Sequence, residues 1–244
     1  MMRILHVYDS ISPIGGGSQV AVLNWLKNLG QLGHDIRLLA NANAALFIPE
    51  ETRKILIPTK FFNLDLFFPH YYPSYLDQKA EEKIRQFSPE VIHFHEPSIL
   101  GWQILKIVPS LKAKTIVSFH TDFDTYRKER EKSFPVFILG TLGFNDLVKK
   151  FQFSFLHKSD YVTAASKTFQ ALLSQKTGKK IFRLPYPIAS YFFRQNNPRR
   201  EREGNVKKLI AVSRISPEKT LDVLLEAMPS VKKYFSLTIV GEGI

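Results

Sequence analysis

The stretch RILHVYDSISPIGGGSQVAVLNWL, residues 3–26, contains the unit from which we predict the fold. It begins with an apolar run typical of a buried strand, passes through three consecutive glycines and ends in an amphipathic helical pattern. Similar apolar runs recur along the chain and alternate with helical patterns, which indicates an α/β fold with a parallel sheet covered on both faces. We predict strands over 3–8, 36–40, 54–57, 91–95, 115–119, 161–164 and 181–184, and helices over 19–29, 76–87 and 167–176.

The composition changes after the last of these strands. Residues 192–207 are polar and highly charged, which predicts a linker. Strand and helix patterns then begin again with LIAVS at 209–213, a helix from Pro217 and SLTIV at 236–240. We therefore predict one domain over 1–191 and the start of a second over 208–244. Two strands and one helix are too few for an independent core, so we expect the second domain to be truncated at Ile244.

The composition excludes several classes of protein. The 244 residues contain no cysteine, so a disulfide framework and a thiolate metal site are impossible, and a reducing compartment fits. No run approaches the roughly 18 to 20 apolar residues of a membrane span. The N-terminal MMRILHVYDS is too short and polar for a signal peptide and predicts a first strand instead. We therefore expect a cytoplasmic protein.

The net charge of +12 is concentrated in one segment. Residues 121–208 hold 18 Lys and Arg against 8 Asp and Glu. This excess favours an anionic substrate or surface, and a solvated basic face is the alternative. No nucleic-acid module or RNP-like aromatic pattern accompanies it, so we expect no nucleic-acid partner.

The glycines at 15–17 form a turn between the first strand and the first helix. Glycines here let backbone N–H groups approach a phosphate or sugar at the positive end of a helix. The spacing is not G-x-G-x-x-G, and no acidic residue ends a following strand, so a nicotinamide dinucleotide site is disfavoured. A flexible loop remains the alternative for the glycine run, and we predict no bound cofactor.

A histidine directly follows the strand predicted over 115–119. His120 is followed by Thr121 and Tyr126 in the sequence HTDFDTY. Ligands of open α/β sheets bind at the carboxyl ends of the strands, where a histidine can donate to a sugar hydroxyl or orient a phosphate. A purely structural role for His120 is the alternative.

Two more histidines and a glutamate occupy a similar strand end, at His93, His95 and Glu96. Side chains at i and i+2 of a strand point the same way, as two metal ligands could. No third histidine accompanies them in the sequence, so we predict no metal site.

Two cations, Arg214 and Lys219, flank the start of the helix predicted from Pro217. The helix dipole disfavours positive charge at this position. The arrangement becomes favourable when an anion such as a diphosphate lies between the cations and the free backbone N–H groups. Two exposed basic side chains are the alternative.

These features occur together in a fixed order that resembles the retaining glycosyltransferases of family 4 in the GT-B superfamily. The features are the glycine-rich first turn, LGHDIRLL before the second strand, the strand-end His-Thr pair, and SRISPEKTLDVLLEAM at 213–228. The resemblance covers essentially the whole chain. It implies two Rossmann-like domains, of which the first binds the acceptor and the second a nucleotide-diphosphate sugar.

The resemblance also implies roles for single residues. Gly16, Gly17, Arg214 and Lys219 would contact the donor diphosphate, and His120 would touch the transferred sugar. The family implies a same-face displacement for which we nominate no enzyme nucleophile. Gln19, Thr121 and Tyr126 would contact the acceptor.

The sequence departs from the family pattern at several positions. Ser213 and Thr220 stand where the family usually has glycine, and LPYPIASYFF at 184–193 replaces the usual Pro-Asn-Gly-Val-Asp. The Glu-x7-Glu segment that holds the donor would lie beyond Ile244. We therefore expect residues 1–244 alone to be inactive.

Two acceptor classes stay open. Residues 127–158 mix basic with aromatic and aliphatic side chains, and 61–76 are densely aromatic, which suits an anionic membrane interface. A membrane lipid such as diacylglycerol is then the acceptor, on the inner face of the membrane. Polysaccharide, glycan-precursor or small-molecule acceptors are the alternative, with the aromatic residues in the core and in a lid around a sugar acceptor. A non-catalytic binding module that retains the fold is the rival function.

Overall fold

The computed structural model of the chain describes residues 1–13, 15–63, 72–120, 144–193 and 206–243. The described residues fall into two compact units. Residues up to 120 and 144–192 belong to the first, and Phe193 with 206–243 belongs to the second.

A mostly parallel sheet forms the centre of the first unit, which confirms the predicted α/β class. Its strands are β1 Arg3–Val7, β2 Asp35–Asn41, β3 Leu56–Phe61, β4 Ser74–Tyr75, β5 Val91–Phe94, β6 Lys114–Phe119, β7 Tyr161–Ala164 and β8 Ile181–Arg183. The spatial order is β4-β3-β2-β1-β5-β6-β7-β8. Only the β3–β4 pair is antiparallel among these neighbours.

Helices follow the strands, and side chains cap several of them. Asp77 accepts from Lys79 N and Ala80 N, while Ser98 and Ser166 accept from backbone N–H groups of their own helices. None of the described helices has the length and apolar character needed to cross a bilayer. The helices of this unit are α1 Gly17–Gln31, α2 Glu50–Arg53, α3 Gln78–Phe87, α4 Ile99–Leu111, α5 Phe144–Lys158 and α6 Lys167–Thr177, with 3₁₀ helices at Ala42–Leu46 and Ser190–Phe193.

Alternating side chains of β1 enter two separate hydrophobic clusters, as the period of a strand requires. Leu5 and Val7 belong to the cluster that includes residues of α3, α4 and α5. Ile4 and Tyr8 belong to the cluster that includes Val22 of α1. The side chains of β1 at even positions, His6 among them, therefore lie on the sheet face that α1 covers.

The second unit contains two parallel strands, β9 Lys207–Val212 and β10 Phe235–Val240. The helix predicted from Pro217 is in fact divided. A 3₁₀ helix covers Pro217–Lys219, and α7 covers Leu221–Val231. The break occurs because Thr220 has φ +47°, a left-handed conformation that interrupts a right-handed helix.

Candidate active site

A stripe of polar side chains crosses adjacent strands on the sheet face that α1 covers. His6 of β1 is in register with His93 of β5, and Ser118 of β6 with Thr163 of β7. All four residues are buried. His93 Nε2 lies 2.7 Å from Ser118 Oγ, which lies 2.7 Å from Thr163 Oγ1. The stripe thus satisfies part of its own hydrogen bonding inside the core.

A second series of contacts leads from this stripe to the carboxyl edge of the sheet. His6 Nδ1 lies 2.8 Å from His95 Nε2, and His95 Nδ1 lies 3.3 Å from His120 Nε2. His120 Nδ1 lies 2.9 Å from the hydroxyl of Tyr186. Both ring nitrogens of His120, the predicted sugar-contacting residue, therefore have partners.

Burial keeps these histidines neutral at neutral pH. It lowers the pKa of His6 to about 3 and that of His120 to about 4. Burial first, and then the neighbouring histidines, lower the pKa of His93 and His95 well below the ordinary value. Each ring then has one N–H donor and one acceptor nitrogen.

His6, His93 and His95 bring three imidazoles together, the third of which the sequence did not reveal. One nitrogen of each lies within 4.8 Å of the others. Two nitrogens bound to one tetrahedral zinc ion at about 2.0–2.1 Å would be roughly 3.3 Å apart. His6 Nδ1 and His95 Nε2 are 2.8 Å apart, a hydrogen-bond distance, so as arranged these rings bond to each other.

Two carboxyl groups lie at the ends of β1 and β5. The hydroxyl of Ser10 donates to Glu96 Oε1, and that of Ser74 lies 3.5 Å from Asp9 Oδ2. Burial first, and then the charge of Asp9, raise the pKa of Glu96 to about 8. Burial also raises the pKa of Asp9, so the pair retains a proton at neutral pH.

The glycine-rich turn leads directly into α1. Gly16 is the N-cap residue in an extended conformation, and no side chain caps the helix. No heavy atom lies within 4 Å of the position that a Cβ on Gly17 would occupy. The open space and uncapped N–H groups are those that an anionic ligand would use.

Gln19 has a partner within the same turn. It is buried, and its Oε1 accepts a hydrogen bond from Ser12 N at 3.1 Å. A Cβ on Gly15, which has φ +50°, would lie 3.5 Å from Gln19 Nε2. Gln19 therefore stabilises the turn, whatever ligand it also contacts.

Arg214 and Lys219 are both exposed in the second unit. Lys219 precedes Thr220, the N-cap residue of α7, and no side chain caps this helix either. The backbone of the Arg214 loop is held by Ser213 N donating to Val240 O at 3.1 Å and Ile215 N donating to Glu242 O at 2.8 Å.

Gly241 is required by this packing, because a Cβ there would lie 1.8 Å from Ser213 O. Ser216 is the N-cap residue of the 3₁₀ helix but makes no capping hydrogen bond. Pro217 begins that helix as predicted.

The structure brings His93, His95, Glu96 and His120 to one edge of the first unit. Thr121 and Tyr126 lie outside the described residues. Tyr186 was missed, because it lies in a segment without periodicity. The sequence contains one signal by which Tyr186 could have been found: it lies shortly after β8, and polar residues that follow strand ends lie at the ligand-binding edge of such a sheet.

Two characterised relatives match nearly the entire chain. An alpha-monoglucosyldiacylglycerol synthase of Streptococcus pneumoniae is 25% identical over 99% of this chain and 56% of its own length. A GDP-mannose-dependent alpha-mannosyltransferase of Mycobacterium tuberculosis is 24% identical over 100% of this chain and 63% of its own length. The chain therefore spans about three fifths of these relatives.

Solved structures share the fold. A glycosyltransferase from Rickettsia africae superimposes with a TM-score of 0.63 at 19% identity, over 98% of this chain and 60% of that one. A lipopolysaccharide outer core galactosyltransferase has a TM-score of 0.63 at 13% identity, over 99% and 61% respectively. These neighbours are GT-B glycosyltransferases, so the chain has the GT-B fold predicted from its sequence.

A family model matches most of the first unit. The model of Glycosyltransferase Family 4 matches residues 15–189, most of the first unit including the glycine turn, both strand-end histidine sites and Tyr186. The chain belongs to glycosyltransferase family 4.

Proposed function

We propose that this chain contains the acceptor-binding domain, 1–191, and the start of the donor-binding domain, 208–244, of a retaining glycosyltransferase. The enzyme moves a sugar from a nucleotide-diphosphate sugar to an acceptor and has no resident cofactor. The family match over residues 15–189 is the observation that carries this proposal. It favours catalysis over the rival non-catalytic binding module.

In this reaction, negative charge develops on the diphosphate as the glycosidic bond breaks. Lys219 beside the uncapped start of α7, together with Arg214, stabilises that charge. The uncapped start of α1 at Gly16 and Gly17 provides further N–H donors to the donor phosphates. His120 contacts the transferred sugar.

A membrane lipid of the diacylglycerol class is the acceptor that we propose. Support comes from the similarity to the diacylglycerol-linked synthase of S. pneumoniae. The described aromatic residues contribute less, because Phe151, Phe153 and Phe155 of α5 pack in the core. Phe62, which is 58% exposed, remains available to a lipid surface. A peripheral position on the inner membrane face follows from such an acceptor.

The test is sugar transfer by the product of the complete reading frame that contains residues 1–244. Labelled UDP-glucose and GDP-mannose are offered with diacylglycerol vesicles or with soluble sugars. We expect transfer to the vesicles, and we expect Arg214→Ala or Lys219→Ala to lower kcat by about 10²-fold or more.

Lys232→Ala is the matched control, because this exposed lysine caps the opposite end of α7. Near-normal kinetics in both site variants would contradict the diphosphate assignment. Transfer only to soluble sugars would contradict the lipid acceptor. Acceptor binding without transfer from any donor would favour the binding module.

A further inference from the structure

The histidines of the site form one continuous chain with Tyr186. The ring planes of His6 and His95 are inclined by 13° and their centroids are 5.1 Å apart, while the nearest nitrogens are 2.8 Å apart. For His95 and His120 the angle is 14°, the centroid distance 5.5 Å and the nitrogen distance 3.3 Å. Because the nitrogens are far closer than the centroids, the rings meet edge to edge, as hydrogen-bonded imidazoles do.

The tautomers of these hydrogen-bonded histidines depend on one another. His95 and His120 each use both ring nitrogens. A neutral imidazole donates from one nitrogen and accepts at the other. A proton placed on one ring therefore determines the position of the proton on the next, and only two orders are possible.

At the outer end of this series of histidines, the contacts of Tyr186 favour one of the two proton orders. The hydroxyl of Tyr186 lies 3.4 Å from the backbone carbonyl oxygen of His120. When the hydroxyl donates to this carbonyl, its oxygen accepts from His120 Nδ1–H. His120 Nε2 must then accept from His95 Nδ1–H, and His95 Nε2 from His6 Nδ1–H.

At the inner end of the series, the surroundings of His6 favour the same proton order. His6 Nε2 is buried and has no hydrogen-bond partner among the described residues. In the order above this atom is an unprotonated acceptor. The reverse order would bury an N–H donor there without an acceptor, and orphaned buried N–H groups are rare and costly.

We propose that His95 and His6 are positioning residues that hold His120 as the Nδ1–H tautomer, so that its outward nitrogen donates to a substrate oxygen. This inference rests on the proposed function, which places His120 at the transferred sugar. Tyr186 supplies the acceptor oxygen in this structure, and a sugar hydroxyl or ring oxygen is its chemical equivalent. A donor fixed in advance need not reorganise when the sugar binds or reacts.

His93 is excluded from the chain by its own contacts. Its Nε2 is paired with Ser118, whose hydroxyl continues to Thr163. The Thr163 hydroxyl lies 3.5 Å from the carbonyl oxygen of Val117, to which it can donate. Hydrogen bonds in this direction make His93 the Nε2–H tautomer, the opposite of the other three rings.

The test is the tautomer of each histidine in the 244-residue protein, measured by long-range ¹H–¹⁵N NMR with ¹⁵N-labelled histidine. We expect Nδ1–H at His6, His95 and His120 in the unaltered protein. Tyr186→Phe should leave His120 as Nδ1–H, because His95 and His6 are expected to hold this tautomer without the help of Tyr186. His95→Phe should turn His120 into a mixture of tautomers.

His157→Phe is the matched control, since this histidine is exposed on α5. An Nε2–H signal for His120 in the unaltered protein would overturn the proposal, and this spectrum decides even where His95→Phe does not fold. A His120 that changes in Tyr186→Phe but not in His95→Phe would overturn it too. If the unaltered protein bound one zinc ion and His6→Phe bound none, these histidines would be a metal site and the proposal would be overturned.

Activity provides a separate readout in the complete reading frame product. There His95→Phe should lower kcat by about 10²-fold, with a smaller change in the KM of the donor. Normal kcat in a folded His95→Phe protein would contradict the positioning role. Nδ1–H tautomers without any transfer by the unaltered protein would contradict the proposed function while confirming the tautomer assignment.

Discussion

At the scale of single residues, the paired carboxyls of Asp9 and Glu96 have consequences for stability. The unfolded chain releases the Glu96 proton near its ordinary pKa of 4.5, while the folded chain keeps it up to a pKa of about 8. Between these values the folded state binds more protons, so stability decreases as the pH rises. The buried histidines have lowered pKa values, and they destabilise the fold only below about pH 6.5. The range above pH 6.5 therefore isolates the glutamate.

We expect the free energy of unfolding to fall by about 1–2 kcal/mol between roughly pH 6.5 and 8. Glu96→Gln carries no titrating proton and should lose this dependence. Urea unfolding followed by tryptophan fluorescence measures it, because both tryptophans, Trp25 and Trp102, belong to the first unit. The exposed Glu82→Gln on α3 is the control and should keep the slope of the unaltered protein. An equal slope in Glu96→Gln would show that this carboxyl is ionised throughout.

Among single residues, the sequence identified His93, His95 and His120 one by one but did not connect them. The contact between His95 and His120 depends on the register between β5 and β6, and register between parallel strands has no local signal in the sequence. Tyr186 was missed for a similar reason. It contacts His120 across 66 positions of the chain.

At the scale of elements, helix α4 approaches α5 closely at Gly101. A Cβ on Gly101 would lie 3.0 Å from Phe155 Cε2 and Cζ, and 3.2 Å from Phe94 Cδ1. The two phenylalanine rings are themselves packed edge to face, with centroids 5.1 Å apart. Because protein interiors are close-packed, an added methyl group would displace both rings.

Gly101→Ala should therefore lower the free energy of unfolding by about 1–3 kcal/mol, less the benefit of alanine to the helix. Gly30→Ala is the matched control, because Gly30 is also helical, on α1, but has nothing within 4 Å of its Cβ position. That variant should be neutral or slightly stabilised. Urea unfolding followed by circular dichroism distinguishes the two. Equal stability of both variants would show that the two phenylalanine rings can move aside without a loss of stability.

Periodicity predicted most elements because a buried strand and an amphipathic helix have local patterns. The strand predicted over 91–95 is Val91–Phe94, and that over 161–164 is Tyr161–Ala164. The two-residue strand β4 is too short to have a pattern, and it was missed. The helix from Pro217 was predicted as continuous because a left-handed Thr220 has no signature in a helical pattern.

At the scale of the whole molecule, the two units differ in how much they bury. The first unit contains two clusters of buried hydrophobic side chains. In the second, none of the described residues over 206–243 is buried. Ile210 and Val212 of β9, for example, are 69% and 71% exposed. The hydrogen bonds between β9 and β10 therefore lack the apolar cover that makes local opening costly.

We expect amide hydrogen exchange to separate the two units. Amides of the central strands β1 and β5 should exchange at least about 10²-fold more slowly than those of β9 and β10, because exchange from a buried strand requires unfolding of the core around it. Exchange followed by mass spectrometry of peptides over 3–8, 91–95, 207–212 and 235–240 makes the comparison. Both strand pairs, β1 with β5 and β9 with β10, are parallel, so a difference in exchange between them does not come from a difference in strand pairing. Equal protection of all four peptides would mean that β9 and β10 are covered in solution, by a second copy of the chain or by another partner.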